Sequence, residues 1–216
     1  MYGKDEKYNM AHRSHIAIVL IILFHAVGLT GVYFPQLTPL MIQIVPWHLL
    51  LMAVLLMFTH RTLNTKFVVF FILIFGLGYA AEWVGVHKGI IFGNYAYGKT
   101  FGFKLHDIPL IIGVNWFILV YSTGVLLQRS AIKNIVIRLF YGGLVLTLLD
   151  FLIEPVAIRD DYWHWTNGTI PIKNYITWFV LSMIMLFIFE KFRFKKQGLA
   201  GPVLLIAQFV FFVLQF

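Results

Sequence analysis

No cysteine occurs in the 216 residues, which excludes disulfides, thiolate metal sites and cysteine nucleophiles outright. Charge is almost as scarce: 12% of residues are charged and only nine are acidic, whereas 60% are hydrophobic. At a mean hydropathy of +0.84, a soluble domain of this length could not hide so much apolar surface. The chain therefore reads as an all-α polytopic membrane protein. No stretch between apolar segments exceeds about twenty residues, too little for a separate soluble domain. The net charge of +8 is spread between the apolar segments instead of lying on one face or tail. It speaks for topology and against a nucleic-acid partner.

What is present divides into apolar segments at about 15–34, 40–59, 67–86, 108–127, 134–158, 174–190 and 199–216. Each is near the length that crosses a hydrocarbon core of roughly 30 Å, so seven helices are predicted in one transmembrane domain covering 1–216. The polar residues 1–14 precede the first span, and Pro35, Gln36 and Leu37 do not supply the small-residue site of a cleaved signal peptide. Twelve of the 17 Lys and Arg residues fall in the N-terminal segment and in the loops after spans two, four and six. Because cytoplasmic loops are enriched in these residues, the expected location is the cell membrane, with the N-terminus cytoplasmic and the C-terminus on the outer side.

With that orientation the unusual residues gather on one side. Glu82 lies near the outer end of span three, and Asp150 and Glu154 lie in the outer part of span five. Their spacing of four puts Asp150 and Glu154 on one helix face. An acid in hydrocarbon costs a few kcal/mol, so such groups face a cavity or a partner. No Lys or Arg lies at the depth of Asp150. Pro155 removes a backbone hydrogen bond and is expected to kink or end the helix. The two longest outer loops, 87–107 and 159–173, are rich in aromatics, including Tyr95, Tyr97, Trp163 and Trp165. Such residues suit an interfacial belt, but the glycines interleaved from Gly89 to Gly102 point to a loop folded back over the mouth between Glu82 and Glu154. His87 reads first as an interfacial hydrogen-bonder.

Several membrane chemistries lack their residues. A seven-helix retinal protein needs a lysine in the last span, and 199–216 has none. Di-iron oxygenases need closely spaced histidines, whereas His25, His48 and His60 are isolated. Asp160–Asp161 is not followed by further aspartates to hold magnesium and a diphosphate, and no glycine-rich nucleotide motif occurs. No metal site and no cofactor are expected. A proton-coupled transporter would place carboxylates through the full bilayer depth and show an internal repeat, and neither is visible.

The ordered blocks Glu82 to Tyr97 (EWVGVHKGIIFGNYAY), Asp107 to Trp116 (DIPLIIGVNW), Asp150 to Ala157 (DFLIEPVA), Tyr162 to Trp165 (YWHW) and Ile170 to Trp178 (IPIKNYITW) resemble the integral-membrane carotenoid biosynthesis family. Its members include carotenoid hydratases of the bacterioruberin-precursor and CruF type. The similarity covers roughly residues 76–180; spans one, two and seven match only as hydrophobic segments. What the resemblance implies is hydration of an end-group carbon–carbon double bond in an acyclic carotenoid, without a cofactor, to give a tertiary alcohol. Carotenoid and membrane lipid would be the partners, with the oligomeric state open. Catalytic roles are expected for Asp150, Glu82 and Glu154, and substrate contacts from Asn115, Trp116, Tyr95, Tyr97, Trp163, Trp165, His87 and Asn174. Hydration chemistry agrees: it needs an acid, aromatic faces for the tertiary cation and a group to hold water, such as a second carboxylate or Asn115. Asp150, one turn deeper than Glu154, suits the donor, with Glu82 as opposing base or proton-sharing partner. End-group cyclisation uses the same cation and excludes water, and a non-catalytic carotenoid-binding scaffold is a third reading.

Overall fold

The computed structural model describes the backbone of residues 2–216 and side chains from Met10 onward. Lys4 and Lys7, two of the charges used above for topology, therefore carry side chains outside the described set. The described residues form seven helices: α1 (Tyr2–Tyr33), α2 (Thr38–Thr59), α3 (Thr65–Lys88), α4 (Ile111–Arg129), α5 (Ile135–Arg159), α6 (Ile172–Phe192) and α7 (Ala200–Val213). Six carry stretches long and apolar enough to cross a membrane. Helices are the form in which every backbone group finds a partner inside its own segment, as a lipid surround demands. Apolar residues such as Ile72, Val180 and Ile184 accordingly face outward, where lipid and not water meets them.

The helix ends carry local signals. Asn64 caps α3 by accepting from the Phe67 N–H, and Asn134 caps α5 by accepting from the N–H groups of Val136 and Ile137. Gly89 closes α3 in the left-handed conformation at φ 63°, which glycine adopts without steric cost. α4 is the axis of the bundle, with 83% of its apolar stretch buried against 22–33% in the other five long helices. It packs on α2, α3, α5, α6 and α7.

Four expectations are corrected. The fourth span was expected from residue 108, but Ile108–Pro109 forms β3, paired with β2 (Lys104–Leu105), and α4 begins only at Ile111; Leu110 donates its N–H to the Phe103 carbonyl, closing this hairpin. Pro155 does not end α5, which runs on to Arg159. The proline ring sits on the exposed face of the helix, while Glu154, Val156 and Ala157 stay buried, so packing holds the turn that lacks a backbone donor. The seventh helix has 14 residues, about 21 Å at 1.5 Å per residue, shorter than the expected 199–216 span. It still links the two ends of the bundle: Gln197 before it bonds to Arg129, and Gln215 after it accepts from Arg159. α1 also starts well before residue 15.

The bundle thus has a basic end, where α2, α4 and α6 finish, and an acid end, where α3 and α5 finish. The α3–α4 and α5–α6 connections both lie at the acid end, and each contributes a strand to one antiparallel pair: β1 (Tyr95–Tyr97) against β4 (Trp163–Trp165).

Candidate active site

Period-two geometry explains how the two loops aim their aromatic side chains. Residues i and i+2 of a strand share a face, and the register sets Tyr95 opposite Trp165 and Tyr97 opposite Trp163. All four project to the same side and line one cavity of about 570 Å³. Two further bonds extend the ladder, Gly98 N–H to the Tyr162 carbonyl and Thr166 N–H to the Asn94 carbonyl. Asp161 clasps the loops from outside, accepting from the Lys99 N–H at 3.0 Å and pairing with His164 at 2.5 Å. Those two contacts hold its carboxyl below the usual aspartate range.

Close approach of these loops to the helices depends on small residues. A Cβ at Gly85 would lie 2.6 Å from Phe92 and 2.8 Å from the Tyr95 hydroxyl, and one at Gly78 would lie 2.5 Å from the Trp116 ring. These two glycines are each about one turn of α3 from Glu82, one on either side, and they admit the groups that bind it.

The three acids are buried and differ in their partners. Glu82 accepts from the Tyr95 hydroxyl at 2.5 Å, the Tyr97 hydroxyl at 2.7 Å and the Trp116 indole N–H at 3.1 Å. Burial first, then the Glu82 charge, pushes both phenols well above their ordinary range, so they remain O–H donors. Glu154 accepts from the indoles of Trp163 at 3.0 Å and Trp165 at 2.8 Å through one oxygen, and from the Asn174 amide at 3.1 Å through the other. Among the described residues, Asp150 receives only the second bond of that same amide, 2.8 Å to Oδ2, while its Oδ1 is buried without a partner. The ion pairs among the described residues, Arg138–Glu190, Arg159–Asp160 and His164–Asp161, involve none of the three.

Glu82, Asp150, Glu154, Asn115, Asn174 and the four strand aromatics all line the cavity. Two expected contacts do not. Trp116 lies behind the wall, fully buried, holding Glu82 and stacked on Trp178 at 4.2 Å. His87 is exposed, bonded to the Trp83 carbonyl and stacked on the Trp83 ring. Five residues from Glu82 amount to about 140° around a helix, which turns it away from the acids. Glu82 makes no hydrogen bond to Asp150; Asn174 joins Asp150 to Glu154 instead. Sequence reasoning missed Trp178, His25, His48 and Gln208 as lining groups. The signal for the last three was available, since each is a polar residue isolated in a hydrocarbon span.

Chemically, the cavity combines an apolar interior, aromatic faces and three carboxyl groups outside the described ion pairs; Arg159, which also lines it, is paired with Asp160. Such a site can transfer a proton to an apolar substrate and hold the carbocation that results. Among the described residues, no three His, Asp or Glu side chains converge closely enough to hold a metal ion.

Comparison with known proteins adds three findings. The family described as "Carotenoid biosynthesis protein" matches over residues 43–215. A bisanhydrobacterioruberin hydratase from Haloarcula japonica is 28% identical over 128 residues, covering 56% of this chain and 43% of that relative. The chain thus matches less than half the length of that relative. No solved structure matches significantly.

Proposed function

The chain belongs to the carotenoid biosynthesis protein family, and from that premise we propose that it hydrates the end-group double bond of an acyclic carotenoid by acid catalysis. Asp150 is the proton donor. The observation that carries this reading is the contrast among the acids: both oxygens of Glu82 and of Glu154 already accept hydrogen bonds, whereas Asp150 Oδ1 has no partner. A carboxyl proton on that oxygen displaces no existing donor and is free to move to an alkene carbon. Glu82 and Glu154, fixed by three donors each, act as oriented negative charge for the tertiary cation, together with the faces of Trp163, Trp165 and Trp178. The need for stabilisation is electrostatic, and preorganised groups supply it without reorganising during the step.

The hydratase named above acts in the same chemical territory, which supports the substrate class. An acyclic C40 polyene is about as long as the ~30 Å hydrocarbon core, so its end group reaches the acid end when the chain lies across the bilayer. With the basic end cytoplasmic, the reaction takes place toward the outer face of the cell membrane, and a reporter fused after Phe216 is expected to be active only if it functions outside the cytoplasm.

Expression in a host that accumulates an acyclic carotene with unsaturated end groups tests the activity. The expected product is a tertiary alcohol whose oxygen comes from labelled water and not from molecular oxygen. A cyclised product without added oxygen would replace the hydratase reading with a cyclase; unchanged carotene would remove both.

A further inference from the structure

Hydration needs a second proton transfer that the acid cluster is poorly built to perform. Once water attacks the cation it must lose a proton, yet Glu82 and Glu154 each already accept three hydrogen bonds. The same cavity has other polar lining groups on a different set of helices: His25 on α1, His48 on α2 and Gln208 on α7.

His25 has a defined tautomer. Its Nδ1 lies 2.8 Å from the Ile21 carbonyl, and a carbonyl can only accept, so Nδ1 carries the hydrogen and Nε2 keeps its lone pair. The ring is wedged between His48, with centroids 4.8 Å apart, and Phe211, at 5.9 Å, both edge-on. One turn before Phe211 on α7 lies Gln208, whose side-chain amide oxygen is buried without a partner among the described residues. Depth also agrees. His25 is eight residues from the Tyr33 end of α1 and Asp150 is nine from the Arg159 end of α5, which puts both about 12–14 Å below the acid end.

Resting on the hydratase reading, we propose that His25 is the general base of the reaction, and that His25 Nε2 with the Gln208 carboxamide forms the water site. Asp150 gives its proton to one alkene carbon, leaving the cation on the other. The water oxygen forms the new C–O bond and its proton passes to Nε2, giving an imidazolium. Return of that proton to the Asp150 carboxylate restores both groups, and the sum is alkene plus water to alcohol. His25 lies outside the matched residues 43–215, whereas Gln208 lies within them.

Deuterated water separates the two proton transfers. If water capture is lost while Asp150 still protonates the alkene, the cation can only return its proton or deuteron, and deuterium accumulates in recovered carotene. For His25→Leu and Gln208→Leu, assayed in the full-length membrane-embedded protein in the carotene-accumulating host, alcohol formation is expected to fall by roughly 10²-fold or more for His25 and less for Gln208. Deuterium in recovered carotene should stay at or above the wild-type level. His25→Gln, which keeps a polar side chain of similar reach, controls for packing and should show the same split. Normal alcohol formation in His25→Leu and His25→Gln overturns the proposal. Loss of both exchange and alcohol in His25→Gln, at normal protein accumulation, also overturns it, since the residue would then be structural. A wild-type protein that makes no alcohol removes the hydratase reading itself, an outcome distinct from either.

Discussion

The two ends of the bundle spend their polar groups differently. At the basic end Gln197 is saturated: its Oε1 accepts from the Arg61 N–H, its carbonyl from Arg129, its own N–H donates to Gln128 and its amide to the Lys195 carbonyl. Tyr121 and His60 share a 2.7 Å hydrogen bond nearby, and Arg138 pairs with Glu190. At the acid end the loops are tied down as thoroughly, by a strand pair and six donors on two glutamates, but Asp150 keeps a buried oxygen unpartnered and the cavity stays open beside it. Leaving a buried polar atom unpaired costs about 1–3 kcal/mol. Unpaired buried atoms also occur toward the basic end, at Arg138 Nε and the hydroxyls of Ser122 and Thr123; what sets the acid end apart is that its unpaired atom is a carboxyl oxygen beside an open cavity.

The largest effect that could break this contrast is at Asp150. Asp150→Asn keeps the shape and a hydrogen bond to Asn174 but has no acidic proton, so protein should accumulate normally while alcohol formation drops by roughly 10²–10⁴-fold, and deuterium exchange into the carotene stops with it. Near-normal turnover in this variant, measured by pigment analysis, would reduce the acid end to a structural cluster. Trp116→Phe comes next. It retains a ring for Trp178 but removes one of the three donors to Glu82; stability in detergent should fall by about 1–3 kcal/mol, with turnover lowered because the charge facing the cation is less well oriented.

A smaller effect sharpens the contrast from the other side. Gln197→Ala removes two side-chain bonds at the basic end, from the Arg61 N–H and to the Lys195 carbonyl, and thermal stability should drop by around 1 kcal/mol while turnover per folded molecule stays at the wild-type level. If turnover falls too, the two ends are coupled and do not act independently. Smallest is the loop clasp. Asp161 has its carboxyl held below the ordinary aspartate value of about 3.9, so its stabilising contribution is present above that value and is lost as pH falls through the lower, folded value. Melting temperature followed from pH 7 down to 3 should show this acid-side loss in the wild type, diminished in Asp161→Asn; identical profiles would show that the clasp adds nothing. Its exposure keeps the effect slight.

Hydrophobic segments long enough to span lipid admit one backbone solution, and for that reason the all-α membrane architecture, the helix order and the three misplaced acids were legible from residue types alone. Spacing of four likewise placed Asp150 and Glu154 on one face. Tertiary structure decided the rest, because it depends on contacts between residues distant in the chain. Pairing of Tyr95–Tyr97 with Trp163–Trp165 joins loops more than sixty residues apart, and no local pattern in either one specifies the other. That pairing determines that both glutamates are saturated and Asp150 is not. Pro155 reads locally as a helix end, and packing of Glu154, Val156 and Ala157 carried the helix through it. His25, His48 and Gln208 each stand out as a polar residue in an apolar span, but only the assembly of α1, α2 and α7 around one cavity brings them together, since a cavity is a property of how helices pack and not of any helix alone.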